Sequence, residues 1–156
     1  MKGYKGFNWF KLDNAAKIYP ASHNRYWSNL FRLSATLRED VDLKVLEQAI
    51  KNTIPRFPSI AARLSEGLFW YYLRPVETPP DILAEYSYPL AYMSKKELKS
   101  CAFRVIVYRK RIAVEIFHSL TDGTGGLIFL KSLVAEYLEL KHNVHIHCEF
   151  GVISRK

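Results

Sequence analysis

The stretch IAVEIFHSLTDGTGG, residues 112–126, decides how the rest of the chain is read. Ile112, Val114, Ile116 and His118 recur at every second position, the period of a strand that keeps one face in the core. Gly123, Gly125 and Gly126 interrupt that pattern, and a helical period replaces it. Leu127, Leu130, Leu133, Val134, Tyr137 and Leu138 then share one stripe, with Lys131, Glu136 and Glu139 off it. His118 therefore stands at a strand end and Asp122 at the entry to a helix, where either Asp122 or Thr124 suits the cap.

Working outward, AFRVIVYRKRIAVEIFH (102–118) predicts two strands around a charged turn at Arg109, Lys110 and Arg111. YWSNLFRLSATL (26–37) alternates as a further strand. Asp42 is placed to cap a helix whose one face carries Leu43, Leu46, Ala49, Ile50 and Ile54, and Pro55 ends it by removing a backbone donor. FPSIAARLSEGLFWYYLRPV (57–76) predicts a hairpin turning at Glu66-Gly67, with Phe69, Trp70, Tyr71 and Tyr72 assigned to sheet packing rather than to a base-stacking platform. Pro75, Pro79 and Pro80 mark a loop. No repeat or linker divides the chain, so residues 1–156 are expected to form one domain. The expected class is α+β, a mixed or antiparallel sheet flanked by helices.

Composition limits the function. With 49% hydrophobic and 14% aromatic residues, the 156-residue chain is too apolar for disorder. The net charge of +8 is spread along the chain, without the clustered block that nucleic-acid binding would show, so no nucleic-acid partner is expected. The start, MKGYKGFNWFKL, lacks the apolar core of a signal peptide, and no stretch approaches the ~20 apolar residues of a membrane span, which makes the cytoplasm the expected location. Cys101 and Cys148 lack CxxC spacing and are expected to be free thiols. In VHIHCEF (144–150), His145, His147 and Glu149 would share a strand face with His142 nearby; the spacing matches no known metal site, and an exposed terminal strand without metal is expected.

The turn itself carries the chemistry. A histidine acting as a base near neutral pH needs an accessible ring nitrogen, a fixed tautomer and thin backbone where substrate approaches. His118 supplies the imidazole, and Thr121, Gly125 and Gly126 form the expected approach loop. Asp122, ion-paired elsewhere, would keep the turn rigid together with Gly123.

HSLTDG (118–123) matches the HxxxDG motif and resembles the CoA-dependent acyltransferase superfamily, which includes chloramphenicol acetyltransferase, plant alcohol acyltransferases and the condensation domains of peptide synthetases. KLDNAAKIYPAS, LFRLSATL, LEQAIKNTIPRFPSIAARL and GLFWYYL resemble successive blocks of its bacterial alcohol acetyltransferase-like branch, over residues 9–141. Condensation domains carry a second histidine just before the catalytic one. Phe117 holds that place here, which favours the acetyltransferase branch.

The resemblance implies that His118 removes a proton from a small alcohol or amine as it attacks an acyl-CoA thioester, acetyl-CoA in the closest reading. The CoA thioester would be a cosubstrate, with no covalently bound cofactor. Asp122 would be structural, paired with an arginine, for which Arg25, Arg32 and Arg38 are candidates. The family has two lobes with a tunnel at their junction, and this chain resembles the N-terminal lobe, with tail 142–156 unassigned. The DFGWG-like motif of the other lobe is absent, so the chain is expected to be a fragment, a truncated product, a homo-oligomer or half of a site completed by a partner lobe. Two other functions fit the same motif: a non-catalytic half-domain for binding or assembly, and a condensation-type enzyme using a carrier-protein thioester.

Overall fold

The computed structural model describes residues 9–85, 88–147 and 151–153. It is an α+β fold whose elements run β1 (Phe10–Lys11), α1 (Ile18–Ser22), β2 (Leu30–Thr36), α2 (Leu43–Thr53), β3 (Ala62–Glu66), β4 (Tyr71–Pro75), β5 (Ile82–Ala84), α3 (Lys95–Ser100), β6 (Phe103–Tyr108), β7 (Arg111–Phe117) and α4 (Gly123–His142). The larger sheet has the order β2-β7-β6-β5, mixed because β5 runs parallel to β6; the smaller is β1-β4-β3.

Strand β7 is central, and every residue from Ile112 to Phe117 is buried. Its helix-side residues, Ile112, Val114 and Ile116, pack in the main apolar cluster beneath α2 and α4, where Phe129 meets Phe57 and Phe103 edge to face at 5.2 and 5.4 Å. The turn between β6 and β7 is the two residues Arg109-Lys110, with Arg109 at φ 50°, and Arg111 belongs to β7.

Asp42 caps α2 by accepting from the Lys44 and Val45 N–H groups. The Val45 bond, followed by Lys141, holds its carboxyl below the usual carboxylate range. Pro55 tightens the chain into a 3-10 turn over Ile54–Arg56 rather than stopping it. Leu43, assigned to the buried face, is exposed.

Three other expectations are corrected. Glu136, read as off the stripe of α4, is buried, accepting from Asn52 at 2.7 Å and Arg56 at 3.1 Å, because α4 is covered on more than one side. Leu127 of the stripe is exposed instead. In the β3–β4 hairpin, Phe69 is 87% and Trp70 57% exposed: they occupy the tip closed by Gly67 N–H to Trp70 O, beyond the reach of the sheet. At the chain's end, residues 144–147 adopt no strand, and His145 Nδ1 lies 3.2 Å from Glu139. Cys148 and Glu149 lie outside the described residues. Cys101 is a free thiol that burial pushes up to about 11, so it is not a thiolate at neutral pH. Among the described residues, no helix is long and apolar enough to cross a membrane.

Candidate active site

The β2–β7 ladder pairs Leu30 with Phe117, and one residue further the His118 N–H donates to Asn29 O at 3.0 Å. The histidine thus keeps the helix-side parity of β7 but sits where the sheet stops covering it, and it is half-buried. Its ring stacks on Tyr19 of α1 (centroids 4.9 Å apart, planes 14°) and is flanked by Phe31 at 4.8 Å. One stacked and one tilted aromatic ring hold the imidazole while neither nitrogen bonds a described residue. That arrangement fixes the plane of an imidazole and leaves its proton-transfer positions available.

Asn29 was not singled out by the sequence. At φ 50° it accepts from His118 through its carbonyl and donates through Nδ2 to Tyr19 O at 2.9 Å, so one residue places both the ring and the aromatic stacked on it. An asparagine just before an alternating strand is the signal, since asparagine tolerates positive φ. His23, also missed, lies with Nδ1 2.9 Å from Ser28 O and Nε2 2.7 Å from Met93 O, edge-on to Phe117 at 5.3 Å. Phe117 itself is a core side chain.

The turn after His118 is anchored by Ser119, whose Oγ donates to Ala16 O at 2.9 Å. Asp122 caps α4, accepting from the Gly125 N–H at 2.8 Å. The arginine pair expected for it is not formed among the described residues: Arg32 is held by Glu85 and Glu115, and the exposed Asp122 carboxylate is turned to the helix end instead. Asp122→Asn retains a capping oxygen and is expected to leave thermal stability nearly unchanged, whereas Asp122→Ala should cost about 1 kcal/mol. Equal losses in the two variants, measured by urea unfolding, would restore a role for the charge.

Gly125 and Gly126 are not loop residues but the first turn of α4. A Cβ on Gly125 would lie 2.0 Å from Thr121 Oγ1, so Thr121 covers that glycine. One on Gly126 would meet the Phe31 ring at 2.7 Å, and Phe31 is the ring beside His118. Only Gly123 faces open space, with nothing within 4 Å of such an atom. Gly126→Ala is therefore expected to lose ~1–3 kcal/mol by overpacking and to shift the His118 clamp. Gly123→Ala should gain up to about 1 kcal/mol in helix propensity. Chemical denaturation of the two variants side by side checks the sign of each.

Neither a protein-family model nor a curated protein matches the sequence. Solved structures do resemble the fold. The polyketide synthase associated protein 5 from Mycobacterium tuberculosis aligns with TM-score 0.60 at 13% identity, covering 85% of this chain and 33% of that one. The starter condensation domain of rhizomide synthetase RzmA aligns with TM-score 0.66 at 12% identity, covering 92% and 41%. A variant of that domain in complex with C8-CoA and Leu-SNAC aligns with TM-score 0.67 at 11% identity, covering 93% and 39%. The architecture thus resembles part of a condensation-domain fold. The chain spans between about a third and two fifths of these structures.

Proposed function

We propose that this chain is the histidine-bearing half of an acyltransferase that moves an acyl group from a CoA thioester to a small alcohol or amine. The observation that carries the reading is His118 itself: a ring stacked on Tyr19 and flanked by the tilted Phe31 ring, at the end of a buried strand, with both nitrogens unbonded to described residues. One ring nitrogen takes the proton of the acceptor O–H or N–H as that atom attacks the thioester carbonyl. The C–S bond then breaks, and the imidazolium returns its proton to the departing thiolate. Asp122, through the cap on α4, is a positioning residue in this scheme. Its second lobe belongs to the proposal, whether drawn from the same polypeptide, a partner chain or another copy.

The neighbouring fold favours a second reading, in which the acyl donor is a carrier-protein thioester and the product an amide. The acetyl group and the CoA donor are supported by the sequence blocks of the alcohol acetyltransferase-like branch and by Phe117 in place of a second histidine. Thiol release from acetyl-CoA and longer acyl-CoA species, run against a panel of alcohols and amines, tests the reading. Turnover with carrier-bound acyl groups only would move the chain to the condensation type. No turnover and no CoA binding would leave a binding or assembly module.

A further inference from the structure

The tip of the β3–β4 hairpin carries residues that a turn in water does not call for. Turns favour Gly, Asn, Asp and Ser, yet Leu68, Phe69 and Trp70 follow Gly67, and Leu68 is 92% exposed. None of the three packs against the main apolar cluster. Trp9 and Phe10, at the start of the neighbouring β1, are exposed as well. An apolar run held out at a hairpin tip is surface that marks an interaction site.

The register of the small sheet gathers positive charge behind that tip. Leu12, Ala62, Leu64 and Leu73 are buried, so Lys11, Arg63, Tyr72 and Arg74 stand on the opposite face of β1-β4-β3. Arg63 lies directly opposite Arg74, a pairing of like charges that by itself costs stability. The Arg74 guanidinium lies over the Tyr72 ring at 5.3 Å, and Trp9 meets the same ring edge-on at 6.0 Å. Among the described residues no acid comes within ion-pair distance of Lys11, Arg63 or Arg74. The one acid of the hairpin, Glu66, is 3.6 Å from Lys99. The three cations are far apart in the sequence, which is why no basic block announces them.

We infer that this outer face, led by the hairpin tip, docks on a bilayer that carries anionic phospholipid. Leu68, Phe69 and Trp70 enter the boundary between headgroups and acyl chains, while Lys11, Arg63 and Arg74 lie over the lipid phosphates. A protein partner would have to bring carboxylates to fixed places, whereas headgroups supply negative charge anywhere along the sheet. Nucleic acid would use the charge and the rings but leave Leu68 and Phe69 in water. The contact is peripheral and needs no membrane-crossing helix, and a chain without acyltransferase activity makes it equally.

Co-sedimentation of the full chain with vesicles of phosphatidylcholine and phosphatidylserine in equal parts is the test. Binding that falls with added salt is expected, and binding about tenfold weaker or less on phosphatidylcholine alone. Phe69→Ala/Trp70→Ala removes two anchoring side chains and is expected to lower affinity about tenfold or more. Arg63→Glu/Arg74→Glu is expected to do the same, whereas Arg63→Lys/Arg74→Lys keeps the charge and should bind as the parent does. All four positions are exposed, and circular dichroism checks that each variant folds. On the mixed vesicles tryptophan emission should shift to the blue in the parent and in Trp27→Phe, and less in Trp70→Phe. The inference is overturned by no sedimentation with the mixed vesicles, by equal binding to phosphatidylcholine alone, by unchanged affinity in the tip or glutamate variants, or by loss of binding in the lysine variant. A single-stranded oligonucleotide bound more tightly than the vesicles would give the face to nucleic acid. Dimerisation that buries Trp70 without lipid would give the tip to a second copy, and either result also overturns it.

Discussion

His118→Ala is expected to lower acyl transfer from a CoA thioester by about 100-fold or more, the scale of a lost general base. The melting temperature should hardly move, because the ring is half-buried and its nitrogens bond no described residue. What the substitution removes from the fold is one stacked ring between Tyr19 and Phe31, while the backbone bond to Asn29 survives. His118→Gln offers a second view, since it fills more of the clamp yet cannot accept a proton near neutral pH. If either folded variant turns over at the parental rate, the proton acceptor lies elsewhere. Should both activity and melting temperature collapse together, His118 is a packing residue.

Glu115→Gln is expected to cost ~3 kcal/mol of folding stability, with little change at His118 itself. Glu115 is 1% exposed in the middle of β7, on the face away from α2 and α4. It accepts from Arg32 Nη1 at 3.0 Å and Arg104 Nε at 2.8 Å, the residues opposite it on the two neighbouring strands, and from the Leu90 N–H at 2.8 Å. Leu90 sits at φ 60°, a left-handed conformation that a leucine seldom adopts and that this bond helps to hold. A glutamine amide must turn its N–H₂ toward a guanidinium, donor against donor, and leaves two partly buried guanidiniums with less negative charge beside them. Glu47→Gln is the control: its pair with Lys51 is a surface contact, and no measurable loss is expected.

The cluster continues to Glu85, whose carboxyl is held below the usual carboxylate range first by its hydrogen bond from Arg111 and also by Arg32. A depressed folded-state pKa means that this stabilisation is present above the ordinary carboxylate pKa and fades as pH falls through the folded value. Unfolding titrations below about pH 4.5 should therefore show stability dropping in the parent, and less steeply in Glu85→Gln.

Two-residue and 3.6-residue periods mark where apolar surface must be hidden, and that is local information. Strand β7, the hairpin turn at Arg109-Lys110, the Asp42 cap on α2 and the strand-to-helix step at His118 were all legible for that reason. Glu115 was not, although its signal was present: an acid inside an apolar strand, with Phe-Arg pairs at Phe31-Arg32 and Phe103-Arg104 in two others. Charge compensation depends on which strands become neighbours and in what register, and both are set by the assembled sheet. Glu136 was misplaced on the same ground, because a helix covered on several sides has no single wet face on which to put its polar residues.

The site divides along the same line. From the chain alone came a histidine at a strand end and a cap at Asp122 or Thr124, since each depends on residues within a turn of one another, whereas Gly125 and Gly126, read as an approach loop, lie in the first turn of α4. Only tertiary structure decided what surrounds that histidine. Tyr19 and Phe31 reach it from distant parts of the sequence, Asn29 holds both elements, and Gly126 is bare because the Phe31 ring occupies the space of its Cβ. The fate of Asp122 was decided there too. A carboxylate pairs with an arginine only where the fold brings one close, and with Arg32 already held between Glu85 and Glu115, the Gly125 N–H at the end of its own helix is the partner left within reach.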